Sequence, residues 1–390
     1  MKTDFIAREL DGLRSMGLYR ELSAIEGKQS AKIRIKGKDC INLCSNNYLG
    51  LANNPRMKKA AIEAVSRYGC GSGASRLVAG SMRLHEELEF SIARFKKQQA
   101  ALLFNSGYTA NLGIITALAQ REDIVFCDRL NHASIIDGII LSRAEFKRYP
   151  HRDMQALKEL LKAAGNYKKR IIVTDTVFSM DGDIAPLADI AELAKKYNAI
   201  VIADEAHATG VFGQRGSGIA EEMGLEDAID AHMGTLSKAL GGFGAYAAGR
   251  KELIEYLINK SRPFIYTTAL PPSVAASSIA AIDIVRRDRG LHKQLWRNAG
   301  FFRRGLIDCG FDILESRSQI IPIMVGDAAL ALEFSRRLFE RGIFIQAIRP
   351  PTVPKGASRL RATIMATHTE QQLKKALAIL KEEGGKIGVV

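Results

Sequence analysis

AIVIADEAHATG, residues 199–210, is an apolar run that ends in an aspartate, Asp204, with Glu205 and His207 immediately beyond it. The run has the length of a strand buried on both faces, and LADIAELAKKY, residues 187–197, precedes it with the three-to-four spacing of an amphipathic helix. The same rhythm extends from about residue 55 to about residue 270. ALLF, DIVFCD, RIIVTDTV and AYAAG alternate with helical stretches such as DMQALKELLKAA. Alternation of this kind predicts an α/β fold with a mostly parallel sheet sandwiched by helices.

Outside that span the pattern changes. The opening stretch to about residue 25 reads as helical, and KIRIKGKDCINL reads as a hairpin leading into SNNYLGL. After the Pro271-Pro272 break, strand candidates FDILE, IIPIMVG, IFIQAI and RLRATIMA are interleaved with helix candidates ALALEFSRRLFERG and EQQLKKALAILKEE. This reading gives three segments: an N-terminal helix and hairpin over 1–50, a large domain over 51–272, and a smaller C-terminal α/β domain over 273–390. No repeat of fixed period and no low-complexity tract interrupts them.

Composition narrows the function classes. Charged residues make up 25% of the chain, which argues against both disorder and a fibrous repeat. The formal charge of +14 fits an anionic small substrate, a basic solvated surface or nucleic acid. No Lys/Arg block with interleaved aromatics occurs, so nucleic acid is not expected. Five cysteines without a CxxC pair support neither a disulfide framework nor a zinc site, and no metal is expected. MKTDFIAREL lacks the apolar core of a signal peptide and no apolar stretch reaches membrane-spanning length, which predicts a cytoplasmic protein with no membrane partner.

Chemistry concentrates at the predicted strand ends, where ligands bind in open α/β sheets. In HMGTLSKALGGFG, residues 232–244, Lys238 lies between hydroxyl residues and a glycine run. A lysine in a confined site can attack a carbonyl to form an imine, and Thr235 offers a hydroxyl to a phosphate. Asp204 is suited to keeping a pyridine nitrogen protonated, and His207 to bonding a phenolic oxygen on the same ring. NSGYTAN, residues 105–111, puts Ser106, Gly107 and Tyr108 at a helix start whose free N–H groups suit a phosphate. His132 in DRLNHAS has a flat ring able to stack on a cofactor, and Ser179 in TVFSMDGD follows another strand. Singly, each has a plain alternative: a surface lysine, a helix cap, a core histidine, a turn serine. Together, at successive strand ends, they point to one site.

These motifs, with GCGSGASRLVAGSMRLHEELE, YTTALPP, IRPPTVP and RLRATI, resemble the α-oxoamine synthase family of fold-type I pyridoxal-phosphate enzymes nearly end to end. The resemblance implies a pyridoxal 5′-phosphate cofactor carried by Lys238, paired through its ring nitrogen with Asp204 and stacked by His132. It implies that Ser179 and His207 face the phenolic oxygen and that Gly107, Tyr108 and Thr235 serve the phosphate. Thr267 and Thr268 match positions that reach the phosphate from a partner subunit, which implies a homodimer. Arg361 matches the grip on the amino-acid carboxylate with Asn47 nearby, while Arg20 and Thr352 match acyl-substrate positions. The implied activity is decarboxylative acyl transfer from a thioester to a small amino acid. RPPTVP and GSGASR resemble members that join L-alanine to a pimeloyl thioester, and LNHASIIDG resembles members that join glycine to acetyl-CoA.

Overall fold

The structure is a computed structural model describing residues 2–390. The chain divides into two units: 1–45, 180–182 and 295–390 form one, and 46–179 with 183–294 form the other.

The larger unit is built on seven strands: β1 Ala100–Phe104, β2 Ile124–Asp128, β3 Glu145–Tyr149, β4 Arg170–Asp175, β5 Ala199–Asp204, β6 Ala231–Thr235 and β7 Ala245–Gly249. Their order across the sheet is β1-β7-β6-β5-β4-β2-β3. β2, β3, β4, β5 and β6 pair in parallel, and β7 runs antiparallel between β1 and β6. The expected mostly parallel sheet is therefore present, with helices flanking it. β2 is buried along its whole length, as is β6, because a sheet covered on both faces leaves no polar side for alternation. Val125, Ile171, Ile202 and Ala247 from the strands pack with Ile114, Ile135 and Leu257 from three helices in one core. β3 was not anticipated: its pattern EFKRY buries only Tyr149, as an edge strand can.

Pro271-Pro272 does not end the larger unit. Pro272 opens the helix Pro272–Arg287, where a proline at the first turn costs no hydrogen bond, and that helix packs on Pro55–Tyr68.

The smaller unit holds two sheets. In one, Lys32–Ile35 and Lys38–Asn42 form the expected hairpin, and Ile343–Phe344 adds in parallel to Lys38–Asn42. In the other, Ser358–Thr363 lies between Ile320–Gly326 and Gln346–Ile348, antiparallel to both. IFIQAI is thus split between two sheets. FDILE is not a strand, and the N-terminal helix stops at Ser15. Helices Ala328–Glu340 and Glu370–Lys386 lie where their periodicity placed them, contributing Phe334, Leu338, Leu373 and Leu380 to the core.

Candidate active site

The carboxyl ends of β4, β5 and β6 and the helix Gly107–Leu118 after β1 surround a cavity of about 240 Å³. Gly107, Tyr108, His132, Asp204, His207, Thr235 and Lys238 all line it. Seven positions from four separate motifs therefore converge on one cavity, as the rule for strand ends of α/β sheets requires.

Asp204 closes β5 and is almost fully buried. One of its oxygens accepts from the Ala206 N–H at 2.8 Å and the other from Asn111 Nδ2 at 2.7 Å. Asn111 also reaches Ser134 Oγ at 2.9 Å, and Ser134 Oγ lies 2.8 Å from His132 Nδ1. A hydrogen-bonded chain thus runs from Asp204 to His132 and fixes the carboxylate and the ring relative to one another. Desolvation inside the cavity lowers the His132 pKa; the Asp204 carboxylate opposes this and the Lys238 charge adds to it. The ring is therefore neutral at neutral pH, the state suited to lying against an aromatic face.

Lys238 Nζ lies 2.8 Å from His207 Nε2, and His207 Nδ1 lies 2.7 Å from the Tyr48 hydroxyl. An ammonium at Lys238 donates to Nε2, which leaves the proton on Nδ1 to be donated to Tyr48. The Tyr48 hydroxyl in turn reaches Asn46 Oδ1 at 3.0 Å. Gly241 lets the following turn close: its φ is +64°, and a Cβ there would sit 2.3 Å from the Ala52 nitrogen. The glycine run thus serves chain–chain approach.

At the other end of the cavity, Ser106 caps the helix Gly107–Leu118 by accepting from the Thr109 N–H. The N–H groups of Gly107 and Tyr108 lie in the first turn, where no helical carbonyl is available to them. Thr235 donates to the Gly244 carbonyl at 2.9 Å and accepts from the Ser237 N–H. Asn105 Nδ2 holds Thr267 Oγ1 at 2.9 Å and the Thr268 carbonyl at 3.0 Å.

Not every expected residue lines the cavity. Ser179 is half-buried in the turn after Phe178, Asn47 is buried with its amide oxygen accepting from the Ala52 N–H, and Thr267 and Thr268 lie beside Asn105. Arg20, Thr352 and Arg361 belong to the smaller unit: Arg20 and Thr352 are exposed, and Arg361 is buried in Ser358–Thr363. Conversely, the sequence reading missed Asn111, Ser134, Asp175 and Tyr48. Asp175 lies beside Asp204 in the sheet register and accepts from the His132 N–H at 2.7 Å. Burial, reinforced by Asp204, pushes its carboxyl well above the usual carboxylate range. An asparagine inside the apolar helix GYTANLGIITAL was the available signal for the first of these.

The donor set fits pyridoxal phosphate: an amine for the aldehyde, a buried carboxylate for the ring nitrogen, a flat neutral imidazole and helix-start N–H groups for the phosphate. Fold and site together define a fold-type I pyridoxal-phosphate enzyme. The chain belongs to the family described as aminotransferase class I and II, whose model matches residues 38–380. It is 55% identical over 386 residues to an 8-amino-7-oxononanoate synthase of Citrifermentans bemidjiense, covering 98% of this chain and 99% of the relative. A solved structure of SPT, serine palmitoyltransferase, with its PLP internal aldimine superposes with a TM-score of 0.95 at 34% identity, over 100% of this chain and 99% of that one. The 8-amino-7-oxononanoate synthase of Francisella tularensis superposes at 0.78 with 30% identity, over 89% of this chain and 98% of that one.

Proposed function

We propose that the chain condenses L-alanine with a pimeloyl thioester, releasing carbon dioxide and the thiol carrier, to give 8-amino-7-oxononanoate on the route to biotin. The observation that carries this is the joint placement of Lys238, Asp204, His132 and His207 in one cavity of a chain 55% identical to a full-length synthase of that name.

Pyridoxal phosphate, when bound, supplies an electron-accepting ring that makes the α-carbon of the amino acid acidic. The remaining work falls to side chains. Asp204 keeps a proton on the ring nitrogen, and the Asn111 bond keeps that carboxylate aimed. Lys238 would anchor the aldehyde and, once free, would remove and return the α-proton. His207, oriented by Tyr48, stands 2.8 Å from the amine and shares its protons. The N–H groups of Gly107 and Tyr108, with Thr235, take the phosphate. His132 would cover the ring face and His207 would reach the phenolic oxygen, where the family resemblance also assigns Ser179. The family resemblance assigns Arg361 and Asn47 to the alanine carboxylate and Arg20 and Thr352 to the acyl chain. A pimeloyl chain ends in a carboxylate that an acetyl group lacks, so Arg20→Ala is expected to raise the measured KM for the pimeloyl thioester far more than that for acetyl-CoA.

The working unit is a homodimer. Leu77, Val78, Phe90 and Tyr266 are large apolar side chains exposed by half or more. They belong to connected elements: Arg76 pairs with Glu89 at 2.8 Å and the Ala269 N–H bonds the Ala74 carbonyl. Such a face suits a second copy of the chain, which would bring Thr267 and Thr268 to the neighbouring phosphate. Five free cysteines suit a reducing compartment, the cytoplasm. Among the described residues no helix is long and apolar enough to cross a membrane.

Alanine, glycine and serine assayed against pimeloyl and acetyl thioesters, with free thiol as the readout, test the reading. Alanine with the pimeloyl thioester is expected to give the highest kcat/KM; a preference for glycine with acetyl-CoA would reject it.

A further inference from the structure

His151, in the turn after β3, bridges two buried carboxylates. Its Nδ1 lies 2.9 Å from Asp128 Oδ1 and its Nε2 lies 2.7 Å from Asp183 Oδ2. A neutral imidazole has one N–H and can satisfy only one of these contacts, whereas an imidazolium donates to both. Asp128 is committed as an acceptor, since it also takes the N–H groups of Leu130 and Arg152, each at 2.8 Å. Asp183 additionally takes Arg152 Nη1 at 3.4 Å. The other neighbours are the buried Tyr149 phenol, which faces Asp128, and Phe178, whose ring meets the imidazole edge-on at 4.5 Å between centroids. The cluster thus holds two carboxylates, one guanidinium and the imidazole.

What the bridge connects gives it meaning. Asp128 closes β2 and opens the turn that carries His132. Asp183 closes the excursion that carries Ser179, where Val177 pairs with Ile184 and the Phe178 N–H bonds the Asp183 carbonyl. We propose that His151 is a positioning residue for the reaction, acting as an imidazolium that ties the His132 turn to the Ser179 turn. The roles of those two residues rest on the function proposed above; the charge state of His151 does not.

Burial disfavours the charged ring, but hydrogen bonds and charge from Asp128 and Asp183 override it and raise the His151 pKa to about 9. A pKa raised on folding stabilises fully below the unfolded value, about 6.5, and the effect is lost as pH rises through about 9. The tie is therefore intact at neutral pH and released in alkali.

Nitrogen-15 NMR of the holoenzyme labelled at histidine, with the His151 signals assigned by their loss in His151→Gln, reads the charge state directly. Both His151 nitrogens are expected to be protonated at about pH 7.5, with a midpoint near 9. An unprotonated nitrogen at that pH would overturn the proposal. Kinetics reads the positioning role. His151→Gln is expected to lower kcat roughly tenfold or more while KM for alanine changes little, as misplacement of reacting groups does. Asp183→Asn, which removes one of the two charges, is expected to move the alkaline limb of kcat downward by about one pH unit. A limb identical to that of the unsubstituted enzyme would remove the positioning role even if the NMR result stood. An enzyme with no activity toward alanine and the pimeloyl thioester would instead reject the function, leaving the NMR result intact.

Discussion

Lys238 is the residue on which the proposed site turns, and its surroundings suit this lysine to carrying the cofactor. The amine is half-buried in the cavity, 2.8 Å from His207 Nε2, with Asp204 on the same wall. An amine that can hand a proton to a neighbouring imidazole is a better nucleophile than one in bulk water. Reduction of the native holoenzyme with borohydride followed by peptide mapping is expected to place the cofactor on Lys238, and Lys238→Ala is expected to lose that attachment. Asp204→Asn tests the other wall: it keeps the shape and the capacity to bond Asn111 but removes the charge proposed to face the ring nitrogen. Cofactor binding is expected to persist while kcat falls by roughly a hundredfold or more, in line with losses seen when a charge poised for the transition state is removed. Retained cofactor with near-normal turnover would refute the assignment.

Among the elements, β5 carries the site and is held from behind by an ion pair. Glu205, the residue after Asp204, is fully buried and pairs with Lys96, itself buried at the end of the helix Arg83–Lys96. Lys96 also donates to the Ser217 carbonyl at 2.8 Å, and Glu205 accepts from the Ala220 N–H at 3.0 Å. Burial alone would raise the Glu205 pKa, but Lys96 and His232 hold it at about 2. Removing one partner of such a pair leaves a stranded charge, so Lys96→Met is expected to cost about 3–5 kcal/mol at neutral pH. A carboxyl whose pKa is depressed on folding stabilises above its unfolded value, about 4.3, and that contribution disappears as pH falls toward about 2. The gap in urea midpoint between the parent and Lys96→Met should therefore narrow across that acid range. A gap independent of pH would show that Lys96 acts through packing alone.

The same elements show what could be read before any coordinates. β2, β4, β5 and β7 were legible because apolar runs bounded by polar turns have few other uses. β3 was not: as an edge strand it needs one buried residue, Tyr149, and its polar remainder matches a loop equally well. FDILE carries the composition of a strand, yet Asp312 spends its side chain on the Leu314 N–H, and a local turn results. In the site, Lys238, Asp204 and His132 were visible through their motifs, while Asp175, which also closes a strand, was hidden because its role depends on which strands lie side by side. That pairing order, β4 beside β5, is a property of the sheet and leaves no mark on any single segment.

At the scale of the whole molecule, the question is whether one chain completes its own site. Thr267 and Thr268 lie beside Asn105 but outside the cavity lined by Lys238, while Tyr266 next to them is 72% exposed. Apolar exposure there is costly for an isolated chain and is relieved if a second copy covers it. Val78→Asp, which puts a charge on that face, is expected to shift sedimentation from dimer toward monomer and to lower activity in proportion. A sharper test separates the contributions of the two copies. In a twofold dimer whose threonines serve the opposite site, Lys238→Ala mixed with Thr267→Val/Thr268→Val produces hybrids with one wholly intact site. Random exchange of equal amounts then restores about a quarter of the native activity from two crippled parents. Threonines that served their own chain would leave both sites of every hybrid defective, and mixing would restore nothing.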